Sequence, residues 1–293
     1  MQKKQCLFII NPISGLGKQK VIPDLIRRFL DPNKFSYEIT FSEYAGHTPV
    51  LTAKYRETFD IIVAVGGDGT VNEVATALVD TSTSMGVIPL GSGNGFARHL
   101  EISTQASKAI LQFNESRSVQ FDTGILNNKA FFNVSGVGFD GQISKIFAEQ
   151  LKRGYMTYAR CVMEEFQTYV PKKFRYELNG HMVEENYFLI AFANTTQYGN
   201  NAIIAPYAKP NDGLLDVVLI RPFPSIHLPV FTMMALFRNL HRSPYVQIIK
   251  TSSFSLDNEE KAPIHIDGEF LNYARQIEIS VKPGSLHVMA PVK

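Results

Sequence analysis

The chain has 293 residues, 45% of them hydrophobic and 19% charged, with a formal net charge of +2. That length suits two domains better than one core, the composition is that of a folded globular protein, and so small a charge argues against an electrostatic nucleic-acid binder. No window reaches the roughly 20 apolar residues that span a bilayer. The apolar run after the basic start, Cys6 to Ile10, is too short for a secretory leader and reads as a first strand. Cys6 and Cys161 are the only cysteines, so the expectation is buried free thiols in a reducing cytosol, without a disulfide framework.

The first part of the chain alternates strand and helix. Strands are expected over 6–10, 36–41, 61–65 and 86–90, with helices near 18–30, 48–56 and 71–79 and a short one around 104–112. Asp31-Pro32 ends the first helix, because proline disfavours helical geometry in the residue before it. Such alternation predicts a doubly wound parallel sheet. After about Arg117 the texture changes to short, turn-rich, aromatic segments, with strands expected over 118–126, 130–137, 174–180, 183–193, 214–220, 246–250, 252–256, 262–267 and 275–281. Two helical stretches interrupt them: a long amphipathic one from Gln142 to Tyr169 and a markedly apolar one from Ser225 to His241. The expected fold is therefore α/β plus β. A nucleotide-binding domain covers 1–120, a largely antiparallel β-sandwich with inserted helices covers 121–284, and a segment at 285–293 returns to the domain junction. The active site is expected in the cleft between the two domains.

Three strand ends carry the chemistry. Ile61 to Val65 is a β-branched apolar run of the kind buried in parallel sheets, and it breaks into Gly66-Gly67-Asp68-Gly69-Thr70-Val71-Asn72-Glu73 before a helix resumes. Strand, glycine turn and helix start aim backbone N–H groups and a positive helix end at phosphate. A carboxylate in that cradle repels an anion unless it holds a metal or takes a proton, which points to phosphate chemistry. The strand at 6–10 runs into Asn11-Pro12-Ile13-Ser14-Gly15, and the strand at 86–90 into Gly91-Ser92-Gly93-Asn94-Gly95. In an open parallel sheet such loops share one edge, where ligands bind. The first loop is not a Walker A loop, since Lys18 is followed by Gln and the spacing differs.

These residues resemble the diacylglycerol kinase catalytic domain, a family that includes soluble bacterial lipid kinases and the sphingosine and ceramide kinases. The resemblance rests on N-P-x-S-G-x-G from Asn11, G-G-D-G-T-x-N-E-V from Gly66 and P-L-G-S-G-N-x-F-A-R from Pro89. It continues through Phe121-Asp122 to Asp140, through Ala208-Lys209-Pro210-Asn211-Asp212-Gly213-Leu214 and to Ile266-Asp267-Gly268-Glu269, and so spans nearly the whole chain. It implies an ATP-dependent lipid kinase of phospholipid metabolism, using Mg²⁺, cytoplasmic and peripherally membrane-associated, with a homodimer compatible.

By that resemblance Asn11, Pro12, Ser14, Gly15, Ser42, Gly66, Gly67, Asp68, Gly69, Thr70, Asn72, Glu73, Ser92 and Asn94 contact the nucleotide, and Asp122 and Arg98 contact the substrate. Lys209, Asp212 and Leu214 hold Mg²⁺, the first and last through carbonyls, an all-oxygen set that suits this ion. Read without the family, Asn211-Asp212-Gly213 is simply a turn, Ser42 a solvated hydroxyl and Asp68 a helix N-cap. A lipid hydroxyl needs a positioned base. Asp267 is the first candidate, supported by Asp68 and Glu269. Asp267 and Glu269, two apart, would face one site if the strand at 262–267 continued through them, whereas Asp-Gly also favours a hairpin turn.

One departure bears on the acceptor. Bacterial diacylglycerol kinases usually carry an aspartate where this chain has Gly95, and the G-S-G-N loop is closer to the sphingosine and ceramide kinases. Diacylglycerol and a long-chain base both remain candidates. Competing functions are a soluble kinase of the wider G-G-D-G group, such as an NAD kinase or phosphofructokinase relative, and a non-catalytic lipid- or nucleotide-binding protein. The stretch Pro229 to Leu240 is either core or acyl-pocket lining, or a peripheral membrane contact helped by Arg238, His241 and Arg242.

Overall fold

A computed structural model describes residues 3–150 and 155–292. The chain divides into two compact units, Met1–Thr123 with Pro283–Lys293, and Gly124–Lys282.

In the first unit the elements follow as β1 (Lys4–Ile10), α1 (Ile22–Phe29), β2 (Phe35–Phe41), α2 (His47–Tyr55), β3 (Ile61–Gly66), α3 (Asp68–Leu78), β4 (Ser84–Pro89), α4 (Gly95–His99), α5 (Ala106–Asn114) and the first part of β5 (Ser116–Leu126). The parallel sheet runs β2-β1-β3-β4. Its registers pair Ile10 with Phe41, Ile10 with Val65 and Gly66 with Pro89, so four strands end along one line. β3 is buried throughout, as a strand covered by helices on both faces must be. The helix expected at 18–30 divides: Ser14–Val21 is 3-10 helical, and the α-helix begins beside Pro23, whose fixed φ suits a first turn.

The second unit holds β6 (Lys129–Phe131), β7 (Val134–Gly138), α6 (Phe139–Ala148), α7 (Tyr155–Phe166), β8 (Lys172–Leu178), β9 (His181–Tyr187), β10 (Leu189–Ala193), β11 (Leu215–Ile220), α8 (Leu228–Leu236), β12 (Val246–Thr251), β13 (Ser253–Asp257), β14 (Ile264–Ile266), β15 (Glu269–Asn272) and most of β16 (Gln276–Pro291). β9, β8, β13 and β16 form one antiparallel layer, and β12-β11-β10-β7-β14-β15 the other. Side-chain alternation fixes the packing. Ile190 and Phe192 of β10 and Val217 and Leu219 of β11 point into the core with Phe174, Tyr187, Phe254 and Ile277. Ala191, Ala193, Val218 and Ile220 point the other way, against Phe139, Ile143 and Phe231 from the helices. The last part of β16 lies in the first unit, where Val288 pairs in parallel with Met85.

The structure corrects four further expected elements. The strand at 183–193 divides at Phe188, after which β10 joins the other layer. The strand at 130–137 divides into β6 and β7. The single helix at 142–169 is two, α6 and α7, with residues 151–154 outside the described part. The helix at 225–241 shortens to α8, flanked by 3-10 turns at Ser225–His227 and Leu240–Arg242.

Candidate active site

In the first unit the second and third loops meet at Asp68, and the first reaches the same helix start through Thr70. This residue opens α3, and its carboxylate reaches the third loop: Asn94 N–H donates to Oδ2 and Gly95 N–H to Oδ1, both at 2.8 Å. Burial raises the Asp68 carboxyl above its ordinary range, and those two N–H groups oppose the rise. Asp68 therefore ties the Gly-Gly-Asp loop to the start of α4, and the N-cap reading of it fails, since Gly67 is the N-cap and no side chain caps the helix. Asn94 sits in the left-handed region at φ 51°, and its Nδ2 donates to Gly91 O at 2.7 Å.

Two glycines are explained by contacts within the protein. A Cβ on Gly66 would lie 2.4 Å from Thr70 Oγ1, and one on Gly91 would lie 2.8 Å from Gly67 Cα. Close packing of strand on helix, and of loop on loop, thus accounts for glycine there before any phosphate is considered. Asn11 joins the set through Nδ2, which donates to Thr70 Oγ1 at 3.1 Å. Ser42 is buried, and its N–H donates to Ile10 O at 3.0 Å, which holds the end of β2 beside β1. Ser14 and Gly15 open the 3-10 turn, with Gly15 at φ +77°. Pro12 and Ser92 are exposed, while Gly69, Asn72 and Glu73 lie half-buried in the first turns of α3. Arg98 Nε donates to Gly93 O at 3.0 Å, which braces the third loop.

Asp122, also in this unit, is 3% exposed, and its Oδ1 accepts from Gly284 N–H at 2.8 Å. Such burial fits holding β16 at Gly284 (φ 58°) better than open contact with a head group.

In the second unit the Asp-Gly pair is a hairpin turn. Asp267 (φ 48°) and Gly268 (φ 89°) link β14 to β15, both left-handed as a tight hairpin requires. The expectation that Asp267 and Glu269 share a strand face fails, because the chain reverses between them, and Glu269 is exposed on β15. Asp267 is nevertheless fixed. Its Oδ2 accepts from Phe132 N–H at 3.0 Å and its Oδ1 from Asn133 N–H at 2.9 Å. Asn133 is held by Thr195, whose hydroxyl donates to its Oδ1.

Behind this turn lies a buried polar network that sequence reasoning missed. His265 Nδ1 accepts from Gly268 N–H at 3.1 Å, so Nε2 carries the proton and donates to Asp140 Oδ2 at 2.9 Å. Tyr198 Oη donates to the same oxygen at 2.9 Å. Burial first, then the Asp140 charge, pushes the Tyr198 phenol well above its usual range, so it stays a donor. The available signal was a histidine between two isoleucines in Ile264-His265-Ile266, which strand alternation turns to the opposite face from both.

The expected metal loop lies ahead of β11. Asp212 Oδ1 accepts from Leu214 N–H at 3.1 Å, and Oδ2 pairs with Lys250 Nζ at 3.1 Å. Lys250 stands directly opposite Asp216 across the β11–β12 ladder and pairs with that carboxylate at 3.1 Å as well. Lys209 is exposed. Burial raises the Asp216 carboxyl despite Lys250. Two ionised carboxylates against one ammonium leave one negative charge, and carboxylate oxygens are the donor chemistry that suits Mg²⁺. No cluster of three His, Cys, Asp or Glu suited to a metal occurs among the described residues. If the loop takes Mg²⁺, the ion should raise Tm measurably against an EDTA-treated sample, and Asp212→Ala should abolish the rise. An equal rise in the variant would move the ion elsewhere.

The model of the diacylglycerol kinase catalytic domain matches residues 5–126, and that of the YegS C-terminal NAD kinase beta sandwich-like domain matches residues 133–290. The chain belongs to the diacylglycerol kinase catalytic-domain family. Within this lipid kinase family it is 30% identical over 240 residues to a "Probable lipid kinase YegS-like" of Chromohalobacter salexigens, covering 78% of this chain and 76% of that protein. It is 27% identical to a diacylglycerol kinase of Bacillus subtilis, over 91% of this chain and 90% of the other. The fold is that of a Bacillus anthracis diacylglycerol kinase crystal structure, with a TM-score of 0.76 at 19% identity, covering 99% of this chain and 98% of that one. Among the described residues no helix is long and apolar enough to cross a membrane.

Proposed function

We propose that this protein is an ATP-dependent lipid kinase that transfers the γ-phosphoryl group to a lipid hydroxyl. The observation that carries this reading is that three strand-end loops are tied to the start of α3, two at Asp68 and the first at Thr70, at a helix end suited to phosphate. Phosphoryl transfer is mostly positioning and charge neutralisation. The backbone of Gly66 to Thr70, with Asn11, Ser14, Ser42 and Asn72, receives the triphosphate. Asp68 holds the third loop in register with the second. Asp267 takes the proton from the lipid hydroxyl as its oxygen bonds to the γ-phosphorus, the bond from that phosphorus to the β,γ-bridging oxygen breaks, and ADP leaves. The backbone N–H groups of Phe132 and Asn133 hold the Asp267 carboxylate in place for this step. Asp212, with the Lys209 and Leu214 carbonyls, would hold Mg²⁺, which would supply positive charge. The turn geometry leaves Glu269 without the shared-face argument that brought it in, and it receives no role.

The G-S-G-N loop, with Gly95 in place of an acidic residue, supports a long-chain base as an acceptor beside diacylglycerol. Purified protein given labelled ATP and Mg²⁺ with each lipid in mixed micelles tests this reading, and a phosphorylated long-chain base is expected. If Asp122 meets the head group, Asp122→Asn should reduce use of the amine acceptor several-fold more than use of diacylglycerol, through loss of a charge-assisted hydrogen bond worth about 1.5–3 kcal/mol. Equal losses would assign Asp122 to holding β16 at Gly284 alone, and phosphorylation of diacylglycerol only would remove the long-chain base.

A further inference from the structure

α8 has the sequence Leu-Pro-Val-Phe-Thr-Met-Met-Ala-Leu, without a charged residue, and a helix apolar on all sides is normally buried. Here only its inner side is covered. Phe231 is buried and stacks on Phe223 at 4.0 Å, while Met234 packs on the same core. On the outer side Ile226 is 80% exposed, Val230 55%, Met233 52% and Phe237 65%. Their spacing, i, i+4, i+7 and i+11, makes one stripe along a helical face.

The segment that carries the stripe has charge of one sign. From Val217 to Leu256 the chain contains no Asp or Glu and four Lys or Arg. Arg221 pairs with Glu185 and Lys250 with Asp212 and Asp216. Arg238 and Arg242, immediately after α8, are exposed and form no ion pair among the described residues. An apolar stripe flanked by arginines suits the boundary between acyl chains and anionic head groups. A second copy of the chain fits less well, because residues 217–256 offer no carboxylate to answer the arginines across a two-fold contact.

We infer that the outer face of α8, with Arg238 and Arg242, docks the protein on an anionic lipid surface. At nine residues the helix is about 14 Å long and cannot span a bilayer, so it lies in the interface plane. The inference builds on the lipid-kinase reading by placing the protein on the surface that holds its acceptor.

The test is co-sedimentation of the full chain with phosphatidylcholine vesicles, alone and mixed with phosphatidylglycerol. Binding to the anionic vesicles is expected, falling as salt rises. Met233→Glu with Phe237→Glu should lower partitioning at least tenfold, and Arg238→Gln with Arg242→Gln roughly tenfold at low salt, converging with wild type at high salt. Both variants should keep the wild-type Tm and the wild-type turnover of a short-chain acceptor dispersed as monomers. Unchanged vesicle binding in both variants overturns the inference. So does a wild-type dimer in sedimentation velocity that the glutamates dissociate while vesicle binding persists, which would make this face an interface between copies. If vesicles bind through this face but no lipid is phosphorylated, the docking surface stands and the kinase reading falls.

Discussion

Asp68→Ala is expected to lower kcat for lipid phosphorylation by about a thousandfold, roughly 4 kcal/mol of barrier, while the protein stays folded. The substitution removes the acceptor for both Asn94 N–H and Gly95 N–H, so the third loop loses its tie to the Gly-Gly-Asp loop. A backbone donor stripped of its partner costs on the order of 1–3 kcal/mol where water cannot replace the bond. A Tm decrease of several degrees should therefore accompany the loss. Asp68→Asn separates the two effects. Its carbonyl can still accept one of the N–H groups, so stability should recover in part, whereas turnover should remain low if the negative charge matters. Turnover of either folded variant within about tenfold of wild type, about 1.4 kcal/mol, would leave Asp68 as a loop anchor without a part in transfer.

The second large effect is expected at Asp267. Asp267→Asn keeps one carbonyl oxygen for the N–H groups of Phe132 and Asn133 and so preserves much of the hairpin. It removes the base, and general-base catalysis contributes typically about 10²–10⁴-fold. A kcat loss of at least about a hundredfold, with KM for ATP changed less than about threefold, is the expected pattern. Glu269→Gln, on the exposed strand beyond the turn, should stay within about twofold of wild type. A reversed ranking, measured as steady-state kinetics on both variants, would transfer the base to Glu269.

Much of the fold was legible because local rules and tertiary packing agree. The run Ile61 to Val65 reads as a buried strand and is one, and Pro32 closes the first helical stretch where expected. Where the reading failed, the deciding contact was distant in sequence. Nothing local to Tyr187-Phe188-Leu189 announces that β9 and β10 belong to different layers, a choice made by pairing with β8 on one side and with β7 and β11 on the other. Asp267 and Glu269 looked collinear because a two-residue period cannot register a reversal between them, although the Asp-Gly pair did carry the hairpin signal. The site shows the same limit. The glycine loops were visible as motifs, but the bonds from Asp68 to Asn94 and Gly95 join residues 26 and 27 positions apart. The network of His265 and Asp140 joins residues 125 positions apart, and Lys250 beside Asp216 follows from the β11–β12 register.

The most direct measurement is product identification by mass spectrometry after incubating the purified protein with Mg²⁺-ATP. One arm supplies diacylglycerol and a long-chain base in micelles, and a parallel arm supplies NAD and a sugar phosphate. The account predicts a phosphorylated lipid formed in step with ADP, absent with Asp68→Ala, and no phosphorylated product in the soluble arm. Phosphorylation of NAD or the sugar phosphate with no lipid product, or ATP binding without turnover of any acceptor, would contradict it.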